Sequence, residues 1–167
     1  MNITQDVRAR PLLVLGWGNR SRGDDALGPL CVAGLQAQLS AELQTQVDFL
    51  DDYQLQVEYA LDLVGRKAVL FIDASLNATL GFEAHALTPS RDTSYSSHAV
   101  SAQSLLQVFE DLTGCAAPAA TLLAIRGESF ELGEPLSAAA QEHLLAAQDW
   151  ALTWLHNNTL SSEVCHA

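Results

Sequence analysis

Residues 12–28 read Leu-Leu-Val-Leu-Gly-Trp-Gly-Asn-Arg-Ser-Arg-Gly-Asp-Asp-Ala-Leu-Gly, and they constrain the fold more than any other stretch of the chain. The apolar run Leu12 to Leu15 leads directly into Gly16-Trp17-Gly18-Asn19. An unbroken apolar run closed by glycines predicts a buried strand whose backbone turns sharply at its C-terminal end. The adjacent carboxylates Asp24 and Asp25 follow, and then a helical pattern over 26–39. In open α/β sheets, ligands sit outside the carboxyl ends of the strands. Acids placed there are candidates for chemistry. Aspartates also favour the first turn of a helix, where they oppose its dipole and cap free N–H groups. That explanation suits a single aspartate better than an adjacent pair.

A dinucleotide-binding turn is the rival reading. It requires glycines at the first, third and sixth positions, the last allowing close strand–helix packing. Here Ser21 holds that last position, and Asp24 and Asp25 would repel a pyrophosphate unless a cation intervened. Asp51 or Asp52, ending the next apparent strand, would have to serve as the ribose-binding acid.

The rest of the chain alternates strand and helix patterns. Val47-Asp48-Phe49-Leu50 reads as a strand closed by Asp51-Asp52, and Leu55 to Leu63 as a helix stopped by Gly65. Ala68 to Asp73 is an apolar strand ending in an acid, and Phe82 to Leu87 is a further strand closed by Pro89. A polar stretch over 90–97 leads to a helix at 98–112 with Leu105, Val108, Phe109 and Leu112 on one face. Ala120 to Ile125 is the last strand, and 127–134 a loop. A long helix over 137–156 buries Leu144, Ala147, Ala151 and Trp154 or Leu155. This order predicts a single α/β domain of three layers: a mainly parallel, twisted sheet of about five strands with helices on both faces. Residues 11–156 form the expected core of a domain spanning 1–167, with flexible ends at 1–10 and 157–167.

A chain of 167 residues buries roughly two-thirds of its unfolded surface. Eight basic against twenty acidic residues give a formal charge of −12, which disfavours nucleic acid and anionic membranes as partners. No stretch has the apolar length of a membrane span, and no secretory signal precedes the first strand, so a cytoplasmic protein is expected. Cys31, Cys115 and Cys165 are far apart and lack CxxC spacing, which argues against a disulfide framework or a zinc ribbon. No G-x-S-x-G elbow or H-E-x-x-H motif is present.

Parallel strands bring their C-terminal ends to one edge. There the chain delivers Asp24 and Asp25, Asp51 and Asp52, and Asp73, with His98 opening a helix behind serines and Glu128 following the last strand. Carboxylates and an imidazole without cysteine suit a borderline divalent metal, and a set of two oxygens and one nitrogen leaves a coordination position open. Each member alone has an ordinary explanation, a turn aspartate or a solvated histidine; their convergence at one edge is what marks a site.

In these motifs the chain resembles the maturation endopeptidases of nickel–iron hydrogenases. Their opening motif, a strand, G-x-G-N, a short loop and D-[DE]-x-x-G, corresponds to Gly16-Trp17-Gly18-Asn19, Asp24-Asp25 and Gly28. An apolar strand ending in D-A is matched by Phe71-Ile72-Asp73-Ala74, and a histidine after a polar loop by Ser96-Ser97-His98. The late loop with its P-E-x-x-E-like signature is matched by Arg126 to Ser137, with Gly127 where proline is common. The resemblance runs from residue 11 to residue 156. It implies an endopeptidase that removes a C-terminal extension from the hydrogenase large-subunit precursor after nickel insertion. It also implies recognition of the nickel through Asp25, Asp73 and His98, with the precursor holding the ion through cysteines and no organic cofactor. On this reading Gly16, Gly18, Asn19, Asp51 and Glu128 are candidate substrate contacts, and the protease is monomeric when free. A divalent ion brings the pKa of a bound water toward neutrality, and Asp24 is the candidate to orient that water or act as base. Asp25 shortens the ligand arm relative to members with glutamate. Asp51-Asp52-Tyr53-Gln54-Leu55, in place of a glycine-rich stretch, resembles members that process soluble, cofactor-reducing hydrogenases. The alternatives are a metal-dependent hydrolase of a small molecule with a resident ion, and a non-catalytic nucleotide-binding module.

Overall fold

The computed structural model describes residues 9–91 and 100–160. The first strand, β1 (Leu12–Trp17), sits inside the sheet between β2 (Val47–Asp52) and β3 (Ala68–Ser75), parallel to both. This is why Leu12, Leu13, Val14 and Leu15 are all apolar: successive side chains point to opposite faces, and both faces are covered. All of these side chains are fully buried, each contributing about 2 kcal/mol of apolar transfer free energy. Beyond β3 lies β5 (Ala119–Arg126), parallel to it, and at the edge β4 (Phe82–Leu87), antiparallel to β5. The order is β2-β1-β3-β5-β4, a mainly parallel sheet of five strands as the alternation of elements implies.

One face carries α1 (Leu27–Gln38) and α4 (Ala138–Leu160), with the short α2 (Ala41–Gln44) beside them. Leu12, Val14, Leu70 and Ile72 of the sheet meet Leu27, Cys31 and Leu35 of α1 and Ala147, Ala151 and Leu155 of α4 there. The opposite face carries α3 (Ala102–Thr113), whose Leu105, Leu106 and Phe109 pack on Leu13, Leu15, Val69 and Phe71. Ser101 caps α3 by accepting from the Ser104 amide, and Gly114 ends it in the left-handed conformation. Leu112, expected on the buried face, is 66% exposed.

The segment 55–63 departs from an α-helix. Val57–Leu63 is a 3-10 helix, and its buried Ala60 and Leu63 lie three residues apart, the repeat of that tighter turn. Cys31 is buried and burial pushes its thiol up to about 12, so it is inert packing. Cys115 is exposed after α3, and Cys165 lies outside the described residues. Among the described residues no helix is long and apolar enough to cross a membrane.

The motif glycines explain how α1 meets the sheet. A Cβ at Gly28 would lie 2.2 Å from the Trp17 carbonyl oxygen and 2.9 Å from that of Ile72, so the first turn of α1 rests directly on the backbones of β1 and β3. This gives a test with a definite sign. Helix propensity alone favours alanine over glycine by about 1 kcal/mol. Gly28→Ala should instead destabilise by about 2 kcal/mol or more, because the obstructing atoms are backbone. Urea denaturation decides the sign, and a stabilised variant would refute the close approach.

Candidate functional site

The C-terminal ends of β1, β2 and β3 lie side by side, with Gly16 opposite Asp51 and Ile72, and Trp17 opposite Asp52. Past the end of β1 the Gly18 amide still donates to the Asp52 carbonyl at 3.0 Å, and the chain then turns back over the sheet edge. Gly18 has φ +148°, and a Cβ there would fall 1.9 Å from the Asp25 carbonyl oxygen. No other residue fits this contact. The Asn19 amide donates to Asp25 Oδ2 at 3.0 Å, while Asn19 Oδ1 accepts from the Ser21 amide at 2.8 Å. Gly18 and Asn19 therefore shape the turn that seats Asp25. Gly16 is a packing position, where a Cβ would meet Val32 and the Gly28 carbonyl.

Asp73 enters from β3, one residue beyond the pairing of Gly16 with Ile72. Strand alternation puts it on the face of Val69 and Phe71, which is also the face of Leu13, Leu15 and Trp17. The Trp17 indole donates to its carboxylate and stands edge-on to Phe71, with ring centroids 6.1 Å apart. Burial, together with the negative charge of Asp25, pushes the Asp73 carboxyl up to about 7 despite hydrogen bonds from Trp17 and the Ala74 amide. Asp25 and Asp73 are thus close enough to repel one another at the sheet edge.

His98, the expected nitrogen donor, lies outside the described residues. Among the described residues no three His, Cys, Asp or Glu side chains group closely enough to hold a metal ion. The carboxylate pair fits a divalent cation in chemistry: neighbouring like charges at a half-buried edge are relieved by a positive ion.

The other expected residues divide. Asp51 is exposed and pairs with Arg20 at 2.9 Å. Glu128 is exposed, and its amide donates to Asp24 at 2.7 Å. Asp24 itself is fully buried. Burial raises its pKa, but hydrogen bonds from Glu128, Ser137 and Ser129 outweigh that effect and hold it below the usual carboxylate value. Asp52 receives the Tyr59 hydroxyl at 2.6 Å and Gln56 Nε2 at 3.2 Å, which holds the chain after β2 against the 3-10 helix.

Trp17 and Ser137 went unread as site residues. The signal for Trp17 was its parity with Leu13 and Leu15 on β1; the signal for Ser137 was its place as the cap of the last helix, where its Oγ accepts from the Ala140 amide at 3.2 Å. A nucleotide cradle is disfavoured. Gly18, Asn19 and every residue from Ser21 to Asp25 donate their amides within the protein, whereas a phosphate-binding loop needs them free.

No protein-family model matches the chain, and no curated protein sequence matches it significantly. Solved structures do. The NiFe hydrogenase maturation protease HycI from Thermococcus kodakarensis KOD1 aligns with a TM-score of 0.66 at 21% identity, over 90% of this chain and 94% of that one. The hydrogenase maturating endopeptidase HybD from E. coli aligns with a TM-score of 0.69 at 22% identity, over 87% of this chain and 92% of that one. A hydrogenase 2 maturation peptidase from Thaumarchaeota archaeon SCGC_AB-539-E09 aligns with a TM-score of 0.62 at 24% identity, over 87% and 98%. The chain has the fold of the hydrogenase maturation endopeptidases over nearly its whole length.

Proposed function

We propose that this protein is an endopeptidase that matures a nickel–iron hydrogenase, removing a C-terminal extension from the large-subunit precursor once nickel is in place. The observation that carries this reading is the meeting of Asp25 and Asp73 at the C-terminal sheet edge, where burial and then the charge of Asp25 raise the pKa of the half-buried Asp73. Its support is the fold shared with HycI and HybD and the agreement of Gly16, Gly18, Asn19, Asp25, Gly28 and Asp73 with the family motifs. Asp25, Asp73 and His98 would recognise the nickel, an oxygen–nitrogen set suited to a borderline ion. The ion belongs to the substrate on this reading. Free carboxylates and an imidazole hold nickel less firmly than cysteine thiolates do, so the protease borrows the metal as a mark of readiness. Asp51 and Glu128 remain candidate contacts for the precursor beside that handle.

The test is processing of a nickel-loaded precursor by the full-length chain. Asp25→Ala and His98→Ala should each abolish cleavage, by about a thousandfold if recognition is lost altogether, while the unfolding temperature moves by only a few degrees. Variants that unfold early and cleave in proportion to their folded fraction would mark these residues as structural and defeat the assignment. Stoichiometric metal in the protein as purified would favour a resident-ion hydrolase instead.

A further inference from the structure

We propose that Asp24 is a positioning residue, whose buried carboxylate locks the 127–137 loop and the start of α4 onto the turn carrying Asp25 and so fixes where Asp25 stands. The inference rests on the reading of Asp25 as part of the processing site. Asp24 and Asp25 are neighbours in one 3-10 turn, Gly23–Ala26, but their side chains serve opposite sides of it. Asp25 Oδ2 accepts from the Asn19 amide beyond the end of β1. Asp24 reaches residues 104 to 113 positions away in the chain. Its Oδ2 accepts from the Glu128 amide at 2.7 Å, the Ser129 amide at 3.3 Å and the Ser137 hydroxyl at 2.8 Å, and its Oδ1 accepts from the Ser137 amide at 2.7 Å.

Every partner is a donor, and the residue has no exposed surface. A base must come within about 3 Å of the proton it removes, and this carboxylate is enclosed by groups that give protons to hydrogen bonds without surrendering them. It is an acceptor hub. Backbone bonds run beside it, from the Asp24 amide to the Ser129 carbonyl at 2.8 Å, from Gly23 to Glu134 at 3.1 Å and from Gly133 to Ser21 at 2.8 Å. Ser137 extends the hub into α4, since the hydroxyl that donates to Asp24 also accepts from the Ala140 amide. At position 127 a Cβ would approach the Asp24 Cβ to 2.8 Å, so the loop closes on Asp24 where only glycine leaves room. Asparagine cannot replace this aspartate: its amide group would set a donor against a backbone N–H on one side or the other.

The experiment uses full-length Asp24→Asn, Ser137→Ala and Ser137→Thr proteins. Amide hydrogen exchange of Asn19, measured by NMR without substrate, reports the seating of Asp25; kcat and KM for nickel-loaded precursor are measured well below each unfolding temperature. Ser137→Ala should fold, speed Asn19 exchange about tenfold and lower kcat about tenfold with KM nearly unchanged. Ser137→Thr keeps the hydroxyl and should restore both. Asp24→Asn should show the same pattern more strongly. Unchanged Asn19 exchange and unchanged kcat per folded molecule in Ser137→Ala would overturn the proposal, even where Asp24→Asn fails to fold, and leave Asp24 a folding anchor. A wild-type protein that cleaves no precursor would defeat the processing function, while Asn19 exchange would still decide the positioning role.

Discussion

Asp73→Asn is expected to abolish processing and, above neutral pH, to raise the stability of the protein. In the folded chain burial and the Asp25 charge lift the Asp73 carboxyl from 3.8 to about 7. Below pH 4 the folded and unfolded states both keep the proton, and the raised pKa costs nothing. As pH climbs from about 4 to about 7 the unfolded state loses the proton first, so wild-type stability falls. Above pH 7 the full difference is present, up to about 4 kcal/mol. Asparagine removes the charge while keeping an oxygen for the Trp17 and Ala74 donors. Thermal unfolding of both proteins at pH 4, 6 and 8 checks this: the curves should coincide at the lowest pH and separate by several degrees at the highest. The difference between the two proteins is the quantity to read, because titrations they share cancel. Equal melting temperatures throughout would show that Asp73 is not held in a desolvated, like-charged setting.

Nickel-loaded precursor should be cleaved at least about a hundredfold faster than the nickel-free form, equivalent to about 3 kcal/mol of differential recognition. On the proposed reading, Asp25, Asp73 and His98 would gain a metal to bind only when the precursor presents its ion. Without the ion, docking leaves Asp25 and Asp73 facing one another uncompensated. The net charge of −12 assists approach of a cation-bearing surface modestly, and added salt weakens that assistance. Cleavage of both precursor forms at equal rates in the presence of a chelator would refute metal recognition.

Much of this was legible in the chain because the informative residues obey short-range rules. Leu12 to Leu15, Ala68 to Asp73 and Phe82 to Leu87 each announce a strand, and Gly16, Gly18 and Gly28 mark where backbone must meet backbone. What stayed hidden depends on contacts between distant segments. Nothing local distinguishes Asp24, an acceptor hub, from Asp25, whose charge reaches Asp73; the distinction comes from the amides of residues 128, 129 and 137. The antiparallel setting of β4 follows from the short 76–81 connection returning the chain along β5 rather than crossing over the sheet. The pattern over 55–63 predicts a helix without fixing its type, because a segment so short shows both periods; the 3-10 form of Val57–Leu63 goes with burial of Ala60 and Leu63, three residues apart.

Asp25 and Asp73 belong to different storeys of the molecule. Asp25 stands on the turn that opens α1, and so moves with the layer that α1 shares with α4; Asp73 faces the storey of α3. Away from this edge the sheet lies between those storeys. The gap between the two carboxylates is therefore a gauge of how the storeys are aligned, read at the open end of the sandwich. On the proposed reading, an ion gripped across that gap would tie the two storeys together at that edge, a rivet set where the sandwich is open.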